Sequence, residues 1–206
     1  MILIMNWLLI LIAIGILVFI LFNNYNENVY VESDIDKKKY LIRRGYKDAV
    51  YLKDSANTLA EINKKVIVLI NHLEKKYNND SSKNYFIKKL RENYNHHILS
   101  EAAIDNRYTT YTIDKEDMHI CLRTRDKHEK LYDINLLMYV ILHELAHLCN
   151  YNINGYPIQG HGEEFKYIFR LLVSEAIMIG VYQYQDYTKY PEEYCGIMIS
   201  TTILPS

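Results

Sequence analysis

The sequence predicts an α+β protein, in which an N-terminal transmembrane helix precedes a small, mainly helical domain with a short β-hairpin. Three observations support this prediction. The first 22 residues carry no charged side chain. Later segments repeat apolar residues at helical spacing, and two short runs of β-branched and aromatic residues flank a polar turn. The 206 residues leave room for one globular domain beside the N-terminal segment.

Met1 to Phe22 is the predicted membrane anchor. A helix of that length spans roughly 33 Å, about the hydrocarbon thickness of a bilayer. A cleaved signal peptide is the alternative, but a basic start and a small-residue cleavage site are not visible. Basic residues lie between positions 37 and 44 and none precedes the span, so the positive-inside rule places the following domain in the cytosol. We therefore expect a single-pass membrane protein whose N-terminal helix has the lipid bilayer as its partner.

Residues 23–50 are predicted to form a juxtamembrane linker, because their charged stretch shows no apolar period. Residues 51–206 are then the predicted domain. Apolar residues at helical spacing predict a helix over residues 55–77. Shorter helical segments are expected over residues 85–94 and 98–104.

The second half of the domain begins with a predicted β-hairpin, formed by strands over residues 108–113 and 118–122 and a turn over residues 114–117. A helix capped by Asp133 is predicted to run to about Cys149, and a polar loop follows it over residues 150–160. A last helix is predicted over residues 163–179, with Gly180 as its end. The pattern of the tail, residues 181–206, assigns no structure to it and leaves open whether it covers a cleft.

Charge and cysteine content exclude several classes of protein. The net charge of −1 gives no reason to expect a nucleic acid as partner. The three cysteines, Cys121, Cys149 and Cys195, are odd in number and show no CxxC spacing. A disulfide framework or a cysteine-based zinc site is therefore not expected, and free, partly buried thiols are.

The predicted metal centre is the stretch HELAH, which begins at His143 and ends at His147. Residues four apart on a helix project from nearly the same face, so these two imidazoles can bind one Zn²⁺ ion. Glu144 lies one residue round the helix, within reach of a water at the metal. Glu144 is therefore the predicted catalytic base.

A catalytic zinc site usually takes three protein ligands, and His161 is the candidate for the third. His161 stands between Gly160 and Gly162, fourteen residues after His147, at the end of the polar loop. Glycine permits a close approach of the backbone and a positive φ. Glu163 and Glu164 lie near enough to be secondary candidates.

Spacing argues against two other classes of zinc peptidase. Metzincins need glycine and histidine three and six residues after the second histidine, where this chain has Asn150 and Ile153. Thermolysin-like enzymes need a glutamate about twenty residues on, where this chain has Lys166 and Tyr167.

A hairpin, a helix with HELAH and then His161-Gly162-x-x-Phe165 together resemble the WLM and SprT-like zinc metalloproteases. The resemblance covers residues 109–179, about a third of the chain. It implies a zincin-type fold, zinc ligands at His143, His147 and His161, and Glu144 as the catalytic base. The loop before His161 is longer than in typical WLM sequences and more similar to that of SprT-like ones. Membrane-anchored WLM-type proteins of large DNA viruses resemble the chain most, which implies a host or virion membrane.

The expected function is therefore a membrane-anchored zinc-dependent endopeptidase with a protein or peptide as substrate. A strand over residues 118–122, if exposed at a sheet edge, is expected to hold an extended peptide. Tyr151 and Tyr156 are candidates for stabilising the oxyanion.

Two alternatives stay open. The resemblance implies a protease of DNA–protein crosslinks, which the charge does not support and which would need a basic surface near the cleft. A structural membrane or virion protein would instead use zinc as a staple, with Cys149 or a glutamate as the fourth ligand.

Overall fold

The structure is a computed structural model that describes residues 12–18, 28–45, 49–103 and 109–204. Helix α1 covers residues 12–18. The elements that follow are β1 (Asn28–Glu32), β2 (Lys39–Arg43), α2 (Ala49–Tyr77), α3 (Ser81–Asn93), a 3₁₀ turn (His96–Ile98), β3 (Leu99–Glu101), β4 (Tyr111–Ile113), β5 (Asp117–Ile120), α4 (Ile134–Cys149), α5 (Glu163–Met178), β6 (Glu192–Tyr194) and β7 (Ile197–Ile199). The described chain is therefore an α+β protein, as the sequence predicted.

Five strands form one mixed sheet in the order β1-β2-β3-β5-β4. The β1–β2 and β4–β5 pairs are antiparallel, whereas β2, β3 and β5 run parallel to one another. Tyr111 of β4 lies opposite His119 of β5, which confirms the predicted hairpin. β4 is an edge strand and β5 is interior, so the expectation of an edge strand over residues 118–122 is wrong.

The predicted linker of residues 23–50 contains two strands of this sheet. Tyr40 and Ile42 alternate along β2 and are buried in the core beneath α2. Each strand is only five residues long, so the alternation is too short to stand out among charged neighbours. Pairing with β3 gives these strands their place in the sheet.

Helices α2 and α3 agree with the sequence pattern better than strands β1 and β2 do. Six apolar residues of α2 at helical spacing are fully buried: Leu59, Ile62, Val66, Leu69, Ile70 and Leu73. Asp80 caps α3, because its side chain accepts hydrogen bonds from the amides of Ser82 and Lys83. The expected helix over residues 98–104 is wrong, since Leu99–Glu101 pairs with β5 as strand β3.

The predicted transmembrane anchor at Met1 to Phe22, and with it the single-pass membrane localisation, is wrong. Residues 12–18 of that segment form α1, and the rest of it lies outside the described residues. In the ranges that the structure describes, no helix is both long and apolar enough to cross a membrane. α2 has 29 residues but carries charges such as Glu61 and Lys65, and the apolar α4 has 16 residues, fewer than the roughly 20 that a span needs.

Helix α4, which carries the HELAH stretch, and helix α5 begin and end close to the predicted residues. Asp133 caps α4, because its side chain accepts a hydrogen bond from the amide of Asn135. α5 ends just before Gly180, whose φ of +73° suits glycine. The tail, which the pattern left unassigned, forms the antiparallel pair of β6 and β7.

A disulfide joins Cys121 to Cys195, with 6.5 Å between the two Cα atoms. The expectation of free thiols is wrong for this pair, whereas Cys149 is free and buried. Because 74 residues separate the two cysteines, only the folded chain brings them together. The disulfide fastens the turn between β6 and β7 to the end of β5.

Candidate metal centre and cleft

Three imidazole rings converge on one point beside β4. The Nε2 atoms of His143 and His147 are 3.2 Å apart, and Nε2 of His161 lies 3.0 Å from each of them. These distances approach the roughly 3.3 Å edge of a tetrahedron with metal–nitrogen bonds of about 2.0–2.1 Å. Among the described residues, this is the one group of three or more side chains that could hold a metal ion. A set of three imidazoles fits Zn²⁺.

Local conformation explains how two distant segments supply these rings. His143 and His147 lie one turn apart on α4, and His161 lies just before α5. Gly160 has a φ of +80°, a left-handed conformation that turns the loop back towards α4. Gly162 has a φ of −63°, and a Cβ there would meet nothing within 4 Å. The loop therefore requires glycine at position 160 but not at 162.

The ring of Phe165 packs against all three imidazole rings. Its ring centroid lies 4.9 Å from His143, 4.3 Å from His147 and 4.7 Å from His161. Phe165 is itself buried on the first turn of α5. The pattern His161-Gly162-x-x-Phe165 therefore contains both a candidate metal ligand and the aromatic residue that packs against it.

Burial keeps the two helical histidines in the form that binds metals. Desolvation, reinforced by the neighbouring imidazoles, lowers the pKa of His143 to about 3. Desolvation, with His161 and Lys115 adding to it, lowers the pKa of His147 to about 4. Both rings are thus neutral at pH 7, with a nitrogen lone pair available for a metal.

Glu144 lies beside this group and is 6% exposed. Burial raises the pKa of Glu144 to about 7, although a hydrogen bond from Thr112 opposes that change. Thr112 Oγ1 donates to Glu144 Oε2 over 2.7 Å. A carboxyl group that titrates near neutral pH can both accept and release a proton. The sequence reasoning missed Thr112, because nothing in the pattern places β4 beside α4.

Lys115 ties the hairpin turn to the end of α4. Its buried ammonium group donates hydrogen bonds to the carbonyl oxygens of His147 and, over 2.8 Å, Asn150. The last carbonyls of a helix lack partners within the helix and attract positive charge. Lys115 therefore holds the end of α4 and the turn before β5 in one arrangement.

Two cavities meet at His143, Glu144 and Thr110. The first, which we name the apolar cavity, has a volume of about 310 Å³ and is lined by Thr109, Thr110, Tyr139, Val140, His143, Glu144, Phe169, Tyr194, Ile197, Met198, Ile199, Ser200 and Thr201. The second, the polar cavity, has a volume of about 290 Å³ and is lined by Thr110, Tyr111, Thr112, Asp114, Lys115, His143, Glu144, His147, Gln159 and His161. Together they form a cleft that passes the metal centre.

The two tyrosines suggested by the sequence lie elsewhere. The Tyr151 hydroxyl accepts a hydrogen bond from Asn93 over 3.0 Å, and Tyr156 is 68% exposed. Three other tyrosines, Tyr111, Tyr139 and Tyr194, line the cleft. Tyr194 is buried, and its hydroxyl pairs with Thr110 Oγ1. Tyr194 comes from the tail, where the sequence pattern gave no assignment.

The other candidate ligands do not join the three histidines. Glu163 is exposed and accepts a hydrogen bond from Lys166 over 2.7 Å, and Glu164 is also exposed. Cys149 Sγ lies within α4 and donates to the carbonyl oxygen of Leu145 over 3.1 Å. The group at the metal centre therefore consists of His143, His147 and His161.

Fold and site together define an α+β protein with an HExxH helix and a third histidine. No family model matches the chain. The uncharacterized protein R325 of Acanthamoeba polyphaga mimivirus is 33% identical over 202 residues, which cover 98% of this chain and 97% of R325. The chain therefore belongs to the family of viral proteins that includes R325.

Two further viral relatives match about half of the chain. The uncharacterized protein 136R of Invertebrate iridescent virus 6 is 32% identical over 104 residues, 49% of this chain and 53% of 136R. The uncharacterized protein 042R of Invertebrate iridescent virus 3 is 34% identical over 101 residues, 48% of this chain and 57% of 042R.

Among solved structures, Wss1 from Saccharomyces cerevisiae matches with a TM-score of 0.43 and 19% sequence identity. The match covers 62% of this chain and 80% of that chain.

Proposed function

We propose that this protein is a zinc-dependent peptidase of the WLM and SprT-like kind. The observation that carries the proposal is the convergence of His143, His147 and His161 beside the buried carboxyl group of Glu144. A structural zinc site usually completes four protein ligands, whereas a catalytic site has three and keeps a position for water. The three-histidine group with a neighbouring proton acceptor matches the catalytic kind.

The division of labour follows from the residues in the cleft. Zn²⁺ held by the three histidines would lower the pKa of a coordinated water to about 7 and polarise a carbonyl group. Glu144 then accepts the proton of the attacking water and donates it to the departing amine. Because Thr112 bonds to Oε2, the exchange of protons falls to Oε1 of Glu144.

The edge of the sheet supplies a place for the substrate. β4 has a neighbouring strand on one side only, and Tyr111 and Thr112 of β4 line the polar cavity. An extended peptide can add to such an edge by main-chain hydrogen bonds. A peptide in that position would have a peptide bond beside Glu144 and the histidines, so a protein or peptide is the proposed substrate.

The proposal is tested with the full chain, its Glu144→Gln variant and a matched control, Glu164→Gln, which changes an exposed carboxylate. Zinc content is measured first, and then cleavage of an unfolded protein and of a mixed peptide library. We expect one zinc per chain in all three proteins. Cleavage is expected to fall roughly 10²- to 10⁴-fold in Glu144→Gln alone.

Each other outcome has a definite meaning. If the unmodified chain binds one equivalent of zinc but cleaves nothing, the peptidase is rejected and a structural role of the zinc site remains. Absence of bound zinc rejects both readings of the site. Equal cleavage by the unmodified chain and Glu144→Gln rejects Glu144 as the base.

A further inference from the structure

We propose that the apolar cavity is a subsite for one large aliphatic or aromatic side chain of the substrate, next to the bond that is cleaved. This inference rests on the proposed peptidase function and names the class of residue that the cleft selects. Its starting point is that the cavity opens directly onto His143 and Glu144.

The position of the apolar cavity relates it to the scissile bond. His143 and Glu144 line both cavities, so they stand where the apolar and polar parts of the cleft meet. A peptide along β4 that places a carbonyl group at this junction sends a neighbouring side chain into the apolar part. The polar cavity, which Asp114 and Lys115 line, receives the chain on the other side.

The lining decides what kind of side chain is stable there. α4 and α5 contribute Tyr139, Val140 and Phe169, and the tail contributes Ile197 and Ile199. Away from His143 and Glu144, the described lining residues carry no charge. In the part of the cavity away from His143 and Glu144, a charged side chain would lose its hydration without an ionic partner, whereas burial of a leucine or phenylalanine is worth roughly 1.5–3 kcal/mol.

Its size also suits one large side chain. A volume of about 310 Å³ corresponds to roughly ten water molecules at about 30 Å³ each. That space exceeds what a single leucine or phenylalanine side chain displaces. A glycine or alanine at the same position would leave most of the cavity to water and gain little from the apolar lining.

The β7 side of the apolar cavity has exposed apolar side chains that a ligand could cover. Ile197 and Met198, which line the apolar cavity, are 50% and 59% exposed and adjacent, so they form a small apolar patch on the surface. Contact with an apolar substrate side chain would remove part of that surface from water. The exposed wall and the buried floor therefore favour the same occupant.

The wall is also held in place before any substrate arrives. The Cys121–Cys195 disulfide fixes the turn between β6 and β7, and the amide of Cys195 donates to the Tyr132 hydroxyl over 2.8 Å. The Tyr194 hydroxyl pairs with Thr110 at the cavity. A wall fixed in this way costs little ordering on binding, which is typical of a preformed subsite.

The first readout does not depend on catalysis. The full zinc-loaded chain, with its methyl groups labelled, is titrated with N-acetyl-leucinamide and with N-acetyl-glycinamide and followed by NMR. We expect the leucine compound to shift the methyl signals of Val140 and Ile199 at a concentration roughly tenfold below that of the glycine compound. Val140→Phe, which fills the cavity, should abolish this difference. Val68→Phe on the exposed side of α2 is the matched control.

The second readout is the set of bonds cleaved in a peptide library. The unmodified chain should favour leucine, methionine or phenylalanine at one fixed position beside the cleaved bond, and Val140→Phe should shift that preference to alanine or glycine. If Val140→Phe fails to fold by circular dichroism, Ile199→Phe replaces it, since it fills the cavity from the tail.

The outcomes separate this proposal from the peptidase itself. Selective leucine binding without any cleavage supports the apolar binding site but rejects the peptidase, and with it the place of that site beside a cleaved bond. Cleavage without an apolar preference leaves the peptidase and overturns the subsite. Equal binding of the two compounds, or equal effects of Val140→Phe and Val68→Phe, also overturns the subsite.

Discussion

Thr112 Oγ1 donates a 2.7 Å hydrogen bond to Oε2 of Glu144 and thereby ties the edge strand β4 to helix α4, which carries the HELAH stretch. In the proposed peptidase, Thr112 is a positioning residue, which orients the carboxyl group of Glu144. The same strand that is proposed to hold the peptide also sets the direction of the base. In the proposed peptidase, substrate alignment and proton transfer would both depend on one short segment of three residues.

We expect Thr112→Val, which removes the hydroxyl but keeps the shape, to lower kcat about tenfold or more. A hydrogen bond to a charged group is worth roughly 1.5–3 kcal/mol, and its loss leaves Glu144 free to rotate. KM should change much less, because the main chain of β4 is intact. Steady-state kinetics on one peptide measure both constants. Thr112→Ser should restore kcat, and a Thr112→Ser variant as slow as Thr112→Val would contradict the role of the hydroxyl.

The three histidines should act as one binding unit for zinc. His143→Ala, His147→Ala and His161→Ala are each expected to weaken zinc binding by more than about 100-fold, since loss of an outer partner of a metal ligand alone costs 10- to 100-fold. Competition with a coloured chelator measures the affinity. His97→Ala, which removes an exposed imidazole, is the control and should bind zinc normally. Unchanged affinity in His161→Ala would remove that residue from the site.

Zinc should also stabilise the folded chain, because the three imidazoles come together only in the native state. At free zinc about a hundredfold above its Kd, the expected gain in the free energy of unfolding is about 2.7 kcal/mol. For a chain of this size, that corresponds to roughly 5–10 °C in Tm. Thermal melts with and without a chelator measure the change. His161→Ala should melt at the same temperature in both conditions, and a response equal to that of the unmodified chain would argue for another zinc site.

Reduction of the Cys121–Cys195 disulfide should destabilise the protein. Closure of a loop of 74 residues contributes about 4 kcal/mol in the chain-entropy treatment, so Tm should fall by roughly 10 °C. Melts in the presence and absence of a reductant measure this fall. The double variant Cys121→Ser with Cys195→Ser should melt at the lower temperature whether or not the reductant is present. A Tm of the unmodified chain that ignores the reductant would contradict the expectation.

Removal of the Lys115 ammonium group should weaken the junction between the hairpin turn and α4. Lys115→Met keeps the length of the side chain but leaves the carbonyl oxygens of His147 and Asn150 without this donor. The expected loss is about 2–3 kcal/mol in the free energy of unfolding, as measured by urea titration. Lys127→Met, at an exposed position, is the control and should change stability by less than about 0.5 kcal/mol. Equal losses in the two variants would show that the Lys115 hydrogen bonds add nothing to stability.

The predictable features of this chain are those that local sequence controls. α4 begins at the residue after its predicted cap, Asp133, and α5 ends beside the predicted stop, Gly180. Helical spacing and capping depend on neighbours within about four residues, so a sequence pattern carries them. The hairpin of β4 and β5 is recognisable for the same reason.

The wrong predictions share a different cause. The N-terminal anchor was inferred from the length and apolar composition of residues 1–22, whereas no helix of the described residues is both long and apolar enough to cross a membrane. The strand β3 was expected to be helical because the partners that make it a strand, β2 and β5, are remote in sequence. Strands this short are stabilised by partners and not by their own propensity.

By itself, the sequence determined the α+β class, the HELAH helix and the candidacy of His161, because spacing on a helix and glycine at a turn are local properties. Only the tertiary structure brought His161 to within 3.0 Å of His143, placed Thr112 on Glu144 and joined Cys121 to Cys195. Those contacts link segments far apart in the chain. Packing of α5, β4 and the tail against the rest of the fold decides them, and no pattern within one segment encodes that packing.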